Sequence, residues 1–541
     1  MNMRIAIPVC CLLLLVPLRT WGQADPVRTI LEDRCSGCHA PRESDGKLDA
    51  VEFQRKTPEG WEMTISRMVL THQVELQPGE ARRLVKYLSD QYGLAPAEVA
   101  PFQPLLVRDH TVTSQDVPEA LRAGCVQCHS YARTALQGRT AEEWGRLIDA
   151  KLALLPNIEN ETVSAGLLQT FWYDYAKQQA VPYLVKALPF RSEAWTDWQS
   201  RPKADYSGEW KVVGHDAGRG GDYVGRLTLT AGEGDRYTGS FRYEFSNGLV
   251  LSGQTTAIVY AGFQWRGVAQ LGEGEAQTSQ REIFFASEDG QRIEGRRLLT
   301  AYGDLALTET WYRSRGPARL LKSIPAALKA GTSPTLRLFG LKLPPGLQAE
   351  DVSAGAGVSV QAVRQQADDS LVLELRVDPQ AEPGWREVRV QGVDGTLRLA
   401  VYQQVDYIRL SPEHGFARPG GGRAPKIFQQ FEVNGYTNGA DGKKGTADDV
   451  KLGRVTPVSW KLEEYVKRIN DDDIRFVGTL DQAGLFTPAL DGPNPERDML
   501  EGNVGDVWVE AWYQPPGAKR AMGARAHLLV MPPRFLFPPI E

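Results

Sequence analysis

"CSGCH" occupies residues 35–39 and "CVQCH" occupies residues 125–129. C-x-x-C-H is the attachment signature of c-type haem. Its two thiols form thioethers with the haem vinyl groups, and the adjacent histidine supplies the proximal nitrogen to iron. The three residues are close in sequence because attachment and ligation use one helical turn beneath one porphyrin face. The chain has 6 cysteines, and the two outside these motifs, Cys10 and Cys11, lie in an apolar leader. Cys35, Cys38 and His39 are therefore expected to hold one covalent haem c, and Cys125, Cys128 and His129 a second. A redox disulfide and a zinc site are the rival readings. Zinc would pair the C-x-x-C units with each other, yet each carries its own histidine immediately after.

Working outward, the two motifs sit in an internal repeat. "TPEGWEMTISRMVLTHQ" (57–73) aligns with "TAEEWGRLIDAKLALLP" (140–156), with Trp61 over Trp144. Both stretches predict helices with threonine at the N-cap and acidic residues in the first turn. A haem used for electron transfer normally has a sixth ligand, Met or His. Between His39 and residue 190 the further Met and His residues are Met63, Met68, His72, His110 and His129. Met68 and His72 are spaced i, i+4 and share a helix face, so either can reach haem 1 but not both. The repeat places Lys151 at the position of Met68 and Leu155 at that of His72, so the second unit lacks a ligand there. His110, in the connector, could fold over haem 2 and make it bis-His. Otherwise His72 crosses from the first unit, or the iron is five-coordinate. Unequal ligand sets would separate the two potentials, because a thioether raises potential relative to a second imidazole. The aromatic run "TFWYDY" (170–175) is expected to pack against haem 2 or to form a helix core stripe. "WEMTISRM" followed by "GEARRLVKYLSDQYG" resembles small bacterial cytochrome c domains. In that group the Met after Arg is the haem ligand, which implies Met68 for haem 1.

The leader "MNMRIAIPVCCLLLLVPLRTWGQADP" has a basic start, an apolar run over 5–18 and small residues at 22 and 24. That pattern predicts a signal peptide over 1–24 and an exported, periplasmic chain. The run is short for a membrane span, and no second candidate follows. A net charge of −5 and pI near 6.0 give no argument for nucleic acid or an anionic membrane surface.

From about residue 204 short alternating strands with Gly, Asp and Asn turns replace the helical pattern, as in "DYVGRLTLTAGEGDRYTGSFRYEFSNGLVLSG" (222–253). The expected fold class is multidomain, α plus all-β. A helical di-haem cytochrome c domain covers 25–190, with units at about 25–100 and 101–190. An antiparallel β-barrel covers 200–316, and immunoglobulin-like β-sandwich domains cover 317–404 and 405–541. His215, beside a Gly-rich turn, reads as structural. "NGADGKKGTADDVKLG" (438–453) sets Asp441, Asp448 and Asp449 on a Gly-rich loop. Such oxygens can bind calcium, although the spacing is not that of an EF-hand and a solvated turn is the plainer alternative. The β blocks contain no catalytic triad, nucleophile elbow or metal-ligand cluster.

The order of motifs and blocks resembles, over the whole chain, the alpha subunit of quinohemoprotein amine dehydrogenase. The paired haem motifs, "RAGCVQCHSYART" and the 438–453 loop carry the resemblance. It implies a periplasmic heterotrimer with a beta-propeller subunit and a small subunit bearing cysteine tryptophylquinone. The quinone oxidises primary amines to aldehyde and ammonia. The di-haem chain passes the electrons to an external blue copper protein or cytochrome c. The alternatives are a di-haem peroxidase-like enzyme and a stand-alone di-haem carrier with β binding modules.

Overall fold

The structure, a computed structural model, describes residues 26–109, 116–126, 129–272, 277–300, 305–421, 425–467, 472–497 and 502–532. The predicted signal peptide, His110 and Cys128 lie outside the described residues.

The repeat is a structural one. Helix α1 (Pro26–Cys35) leads to a short strand β1 (Gln54–Lys56), then to α2 (Pro58–His72) and α3 (Glu80–Gln91). In the second unit, strand β2 (Gln137–Arg139) is followed by a helix over Ala141–Leu154. Thr57 accepts a hydrogen bond from Gly60 N at 3.3 Å, and Thr140 accepts one from Glu143 N at 3.2 Å. Each cap satisfies an otherwise orphaned helix donor. Trp61 and Trp144 are both fully buried. The Trp61 indole donates to Tyr92 O (3.1 Å), and the Trp144 indole donates to Leu188 O (3.2 Å). The backbone N–H of Lys56 and of Arg139 donate to the same two carbonyls.

Strands β1 and β2 pair antiparallel, with Arg55 opposite Gly138, Gln54 opposite Arg139 and Lys56 opposite Gln137. Equivalent segments therefore meet about a local twofold axis at Arg55 and Gly138. The asymmetry at that point has a steric reason. Arg55 is 2% exposed and its guanidinium spans Glu98 (2.9 Å, two bonds), Pro189 O and Phe190 O. A Cβ on residue 138 would sit 2.6 Å from Pro189 O and 2.9 Å from the Arg55 guanidinium, so only glycine fits. A balanced ion-pair network also crosses the two units. Arg42 contacts Asp49 (2.6 Å) and Glu142 (3.1 Å), while Arg146 contacts Asp49 (2.7 Å) and Glu142 (2.6 Å).

Strands β3 (Gly208–Asp216), β4 (Gly221–Ala231), β5 (Arg236–Phe245), β6 (Val250–Tyr260), β7 (Gln264–Leu271), β8 (Thr278–Ala286), β9 (Arg292–Leu299) and β10 (Ala306–Arg313) form a closed antiparallel barrel. Closure comes from β10, which pairs with both β9 and β3. Aromatic residues at alternate positions, such as Tyr237, Phe241, Tyr243 and Phe245 of β5, fill the interior. Among them lies a buried triad. The Arg297 guanidinium lies 3.0 Å from a Glu282 oxygen and 3.4 Å from a Glu309 oxygen, and all three residues are at most 3% exposed. The remaining lone pairs are served by neighbours: Trp265 and Thr255 donate to Glu282, and Tyr223, Tyr243 and Trp311 donate to Glu309. The barrel packs on the first repeat unit through Tyr260 and Ile258, which join the core of Leu31, Trp61 and Leu84.

Two further β domains follow. In the first, one sheet (Arg319–Ile324, Thr335–Leu341, Ser370–Val377, Val358–Ala367) shares a core with a second (Ala327–Lys329, Leu397–Tyr402, Gly384–Val390, Val352–Ser353). In the second, a sheet centred on Glu432–Thr437 packs over one built on Gly505–Tyr513 and Met522–Val530.

His215 joins three of these domains. Its Nδ1 lies 2.8 Å from Asp222 of the barrel and its Nε2 2.8 Å from Glu432 of the last domain. Lys322 of the intervening domain reaches Asp222 at 2.8 Å. Burial opposes the imidazolium, but the two carboxylates outweigh it and raise the pKa to about 9. The stabilisation is therefore complete below the unfolded-state value of about 6.5 and is lost as pH rises through the folded value. His215→Gln is expected to lower stability at pH 7 by about 1–2 kcal/mol, after allowance for a side chain one-third exposed. The variant should then lose less than the native chain between pH 7 and 10. Denaturant melts at both pH values measure this, and equal losses in the two proteins would contradict it.

Candidate functional site

The first motif closes α1. The Cys35 carbonyl accepts from Cys38 N at 3.2 Å and from His39 N at 2.9 Å, so both thiols and the imidazole lie on one tight turn. The Cys35 side chain rests against the core of Leu31, Trp61 and Leu84, whereas Cys38 is exposed. His39 Nδ1 lies 3.0 Å from Asp49 O. A carbonyl only accepts, so the ring proton sits on Nδ1 and Nε2 is left with its lone pair. That is the tautomer an iron-ligating histidine requires, oriented by the partner that supports it.

The described part of the second motif shares one feature with the first, a backbone carbonyl against the histidine Nδ1. Its described members are Cys125, half-buried where two small cores meet, and His129, whose Nδ1 lies 3.0 Å from Ser130 O. Again Nε2 is the available nitrogen. The aromatic run packs directly under this motif: the Trp172 indole donates to Gly124 O (2.7 Å), and Tyr175 OH donates to Ala120 O (2.8 Å). A Cβ at residue 124 would meet the Tyr175 ring at 2.5 Å, which explains the glycine before Cys125.

The thiol environments bear on the redox-disulfide alternative. Reactive C-x-x-C thiols have depressed pKa values. Here burial pushes the Cys35 thiol up and pushes the Cys125 thiol up to about 11. Thiols raised in this way do not match the activated pair of a redox disulfide.

Of the two sixth-ligand candidates on α2, Met68 is half-buried and His72 is exposed at the helix end. At the Met68-equivalent position, Lys151 lies near enough to His129 and Cys125 to act on both electrostatically. Reading the residues in sequence missed the β1–β2 ribbon. Its signal was present, since "QRK" and "QGR" extend the repeat three residues upstream of the Thr caps.

The loop over 438–453 uses its carboxylates on itself. Asp449 accepts from Gly439 N, Gly445 N, Thr446 N and Tyr407 OH. Asp448 accepts from Asp441 N and Thr446 OH, and Asp441 accepts from Lys443 N. Among the described residues no three His, Cys, Asp or Glu side chains gather as a metal site. Among them, too, no helix is long and apolar enough to cross a membrane.

Four family models match the chain in succession. Residues 26–195 match the haem-binding domain of the quinohemoprotein amine dehydrogenase alpha subunit. Residues 203–308, 318–403 and 408–540 match domains II, III and IV of the same subunit. No curated protein matches the chain. Among solved structures, the Escherichia coli adhesin FdeC aligns at 13% identity and a TM-score of 0.14, covering 56% of this chain and 96% of its own. Domains 4–9 of the surface layer protein SbsC align at 9% identity and 0.15, covering 59% and 46%.

Proposed function

The chain belongs to the family of quinohemoprotein amine dehydrogenase alpha subunits, and from that premise we propose that it is the di-haem electron-transfer subunit of such an enzyme. The observation that carries the reading is the repeated motif, in which each histidine points Nδ1 at a backbone carbonyl and keeps Nε2 for a metal. Cys35, Cys38 and His39 would hold one haem, and Cys125, Cys128 and His129 the other. When bound, the two irons supply one-electron carriers.

The residues of the chain perform the remaining tasks. Met68, the half-buried candidate, is assigned to the first iron in preference to His72, and His110 to the second. The cores around Trp61 and Trp144 hold each motif against its own capped helix. The barrel and the two β domains, the latter read as immunoglobulin-like, form a docking frame for partners. Those partners are a beta-propeller subunit and a small subunit bearing cysteine tryptophylquinone. The assembly is placed in the periplasm after removal of residues 1–24. It oxidises primary amines to aldehyde and ammonia and delivers the electrons to a blue copper protein or a cytochrome c.

The test is an anaerobic titration of the native complex with a simple primary amine, followed in the haem α-bands. Both haems should become reduced in the complex and neither in the isolated chain. A complex inert to amines, whose reduced haems turn over hydrogen peroxide, would sink the proposal in favour of a peroxidase.

A further inference from the structure

Three adjacent strands of the barrel set cations in register on its outer face. Lys211 of β3 pairs directly with Arg226 of β4, and Arg226 pairs directly with Arg242 of β5. Strand alternation turns all three side chains outward, since their chain neighbours Trp210, Leu227 and Phe241 fill the interior. Like charges directly opposite one another in a sheet are destabilising. The following β domain answers part of this row. Asp369, in the turn between the strands Val358–Ala367 and Ser370–Val377, bonds the Lys211 ammonium and lies 2.8 Å from the Arg226 guanidinium. Among the described residues Arg242, the third member, has no ion pair or side-chain hydrogen bond.

The row lines a cleft of about 240 Å³ between the barrel and that domain. Arg337, from the strand Thr335–Leu341, lines it from the domain's side and bonds Glu244 of the barrel at 2.9 Å. Four cations, Lys211, Arg226, Arg242 and Arg337, thus share the cleft with two carboxylates, Glu244 and Asp369. The same Arg226 and Arg242 also border a groove of about 580 Å³ lined by the hydroxyl and amide side chains of Thr228, Ser240, Ser252, Gln254 and Gln270. Cationic forks therefore stand where a charged head would enter, and neutral polar groups lie beside them for a hydroxyl-bearing body. The cleft falls below the size of a drug-sized pocket, which suits a small molecule.

We propose that this cleft is a binding site for a small, polar oxyanion, a carboxylate or a phosphate, held by Arg242 and Arg226 of the barrel and Arg337 of the following domain. Guanidinium forks hold either oxyanion through paired N–H donors. Asp369 already fills this role for Lys211 and Arg226 from within the chain, and the ligand does the same for Arg242. Because its contacts come from two domains, the bound anion fixes the barrel against its neighbour. The site stands apart from the haem motifs and does not depend on the di-haem reading.

The experiment is a calorimetric titration of the full, haem-loaded chain at low ionic strength, with inorganic phosphate and separately with tartrate, a hydroxyl-bearing dicarboxylate. Binding at a single site is expected, and the tighter probe identifies the head group. Arg242→Gln and Arg337→Gln, one from each domain, should each weaken that probe about tenfold or more. Arg376→Gln makes the same charge change on an exposed residue outside the cleft and should leave binding as it was. Arg242 is exposed, so its variant should fold. Without ligand that variant loses the like-charge pairing with Arg226 and should melt no lower than the native chain, whereas loss of a merely structural arginine would lower the melting point. No binding of either probe, or a loss shared equally by Arg376→Gln, would overturn the site.

Discussion

Serine at Cys35 and Cys38 together is expected to remove one covalent haem, leave the other in place, and abolish amine-driven reduction of the external acceptor. The reason lies in the repeat. Each motif is held by its own capped helix and its own buried tryptophan, so losing the first attachment site leaves the core around Trp144, Leu121 and Leu184 intact. The substituted hydroxyls stay at the C-terminal end of α1, where Cys38 is already exposed, and the fold should persist. Intact mass and the reduced spectrum read the haem loss, and acceptor reduction in the reassembled complex reads the function. A variant with one haem that still reduced the acceptor at the native rate would show that the first haem lies off the route.

Arg297→Met is expected to destabilise the chain by about 3–5 kcal/mol, because it leaves Glu282 and Glu309 facing one another in a sealed barrel without their cation. Both carboxylates accept indole and hydroxyl donors, but none of those neighbours carries a positive charge to replace the guanidinium. Adding Glu282→Gln and Glu309→Gln removes the unpaired charges and should recover most of the loss. Denaturant unfolding of the three proteins measures this. A single variant as stable as the native chain would mean that water or a proton already neutralises the site.

What could be read from residues alone follows the range of the interactions. The haem motifs, the Thr caps and the tryptophan register are local, and residues 35–39, 57–61, 125–129 and 140–144 display them openly. The barrel was legible from alternation, which a closed sheet with one buried face imposes on β5 and its neighbours. Long-range pairing was not legible. "RIEGRRLL" reads as a polar strand, and nothing local shows that Arg297 turns inward to meet Glu282 and Glu309. His215 was recognisable as structural, but its partners Asp222 and Glu432 stand 7 and 217 residues away.

The central claim is that each repeat unit carries one covalently attached haem. The most direct test is the intact mass of the mature chain, purified from a host that matures c-type cytochromes, under denaturing conditions that strip any non-covalent group. The account predicts the polypeptide plus two haems, with Cys35, Cys38, Cys125 and Cys128 all resistant to alkylation. A bare polypeptide mass with four alkylatable thiols would contradict it.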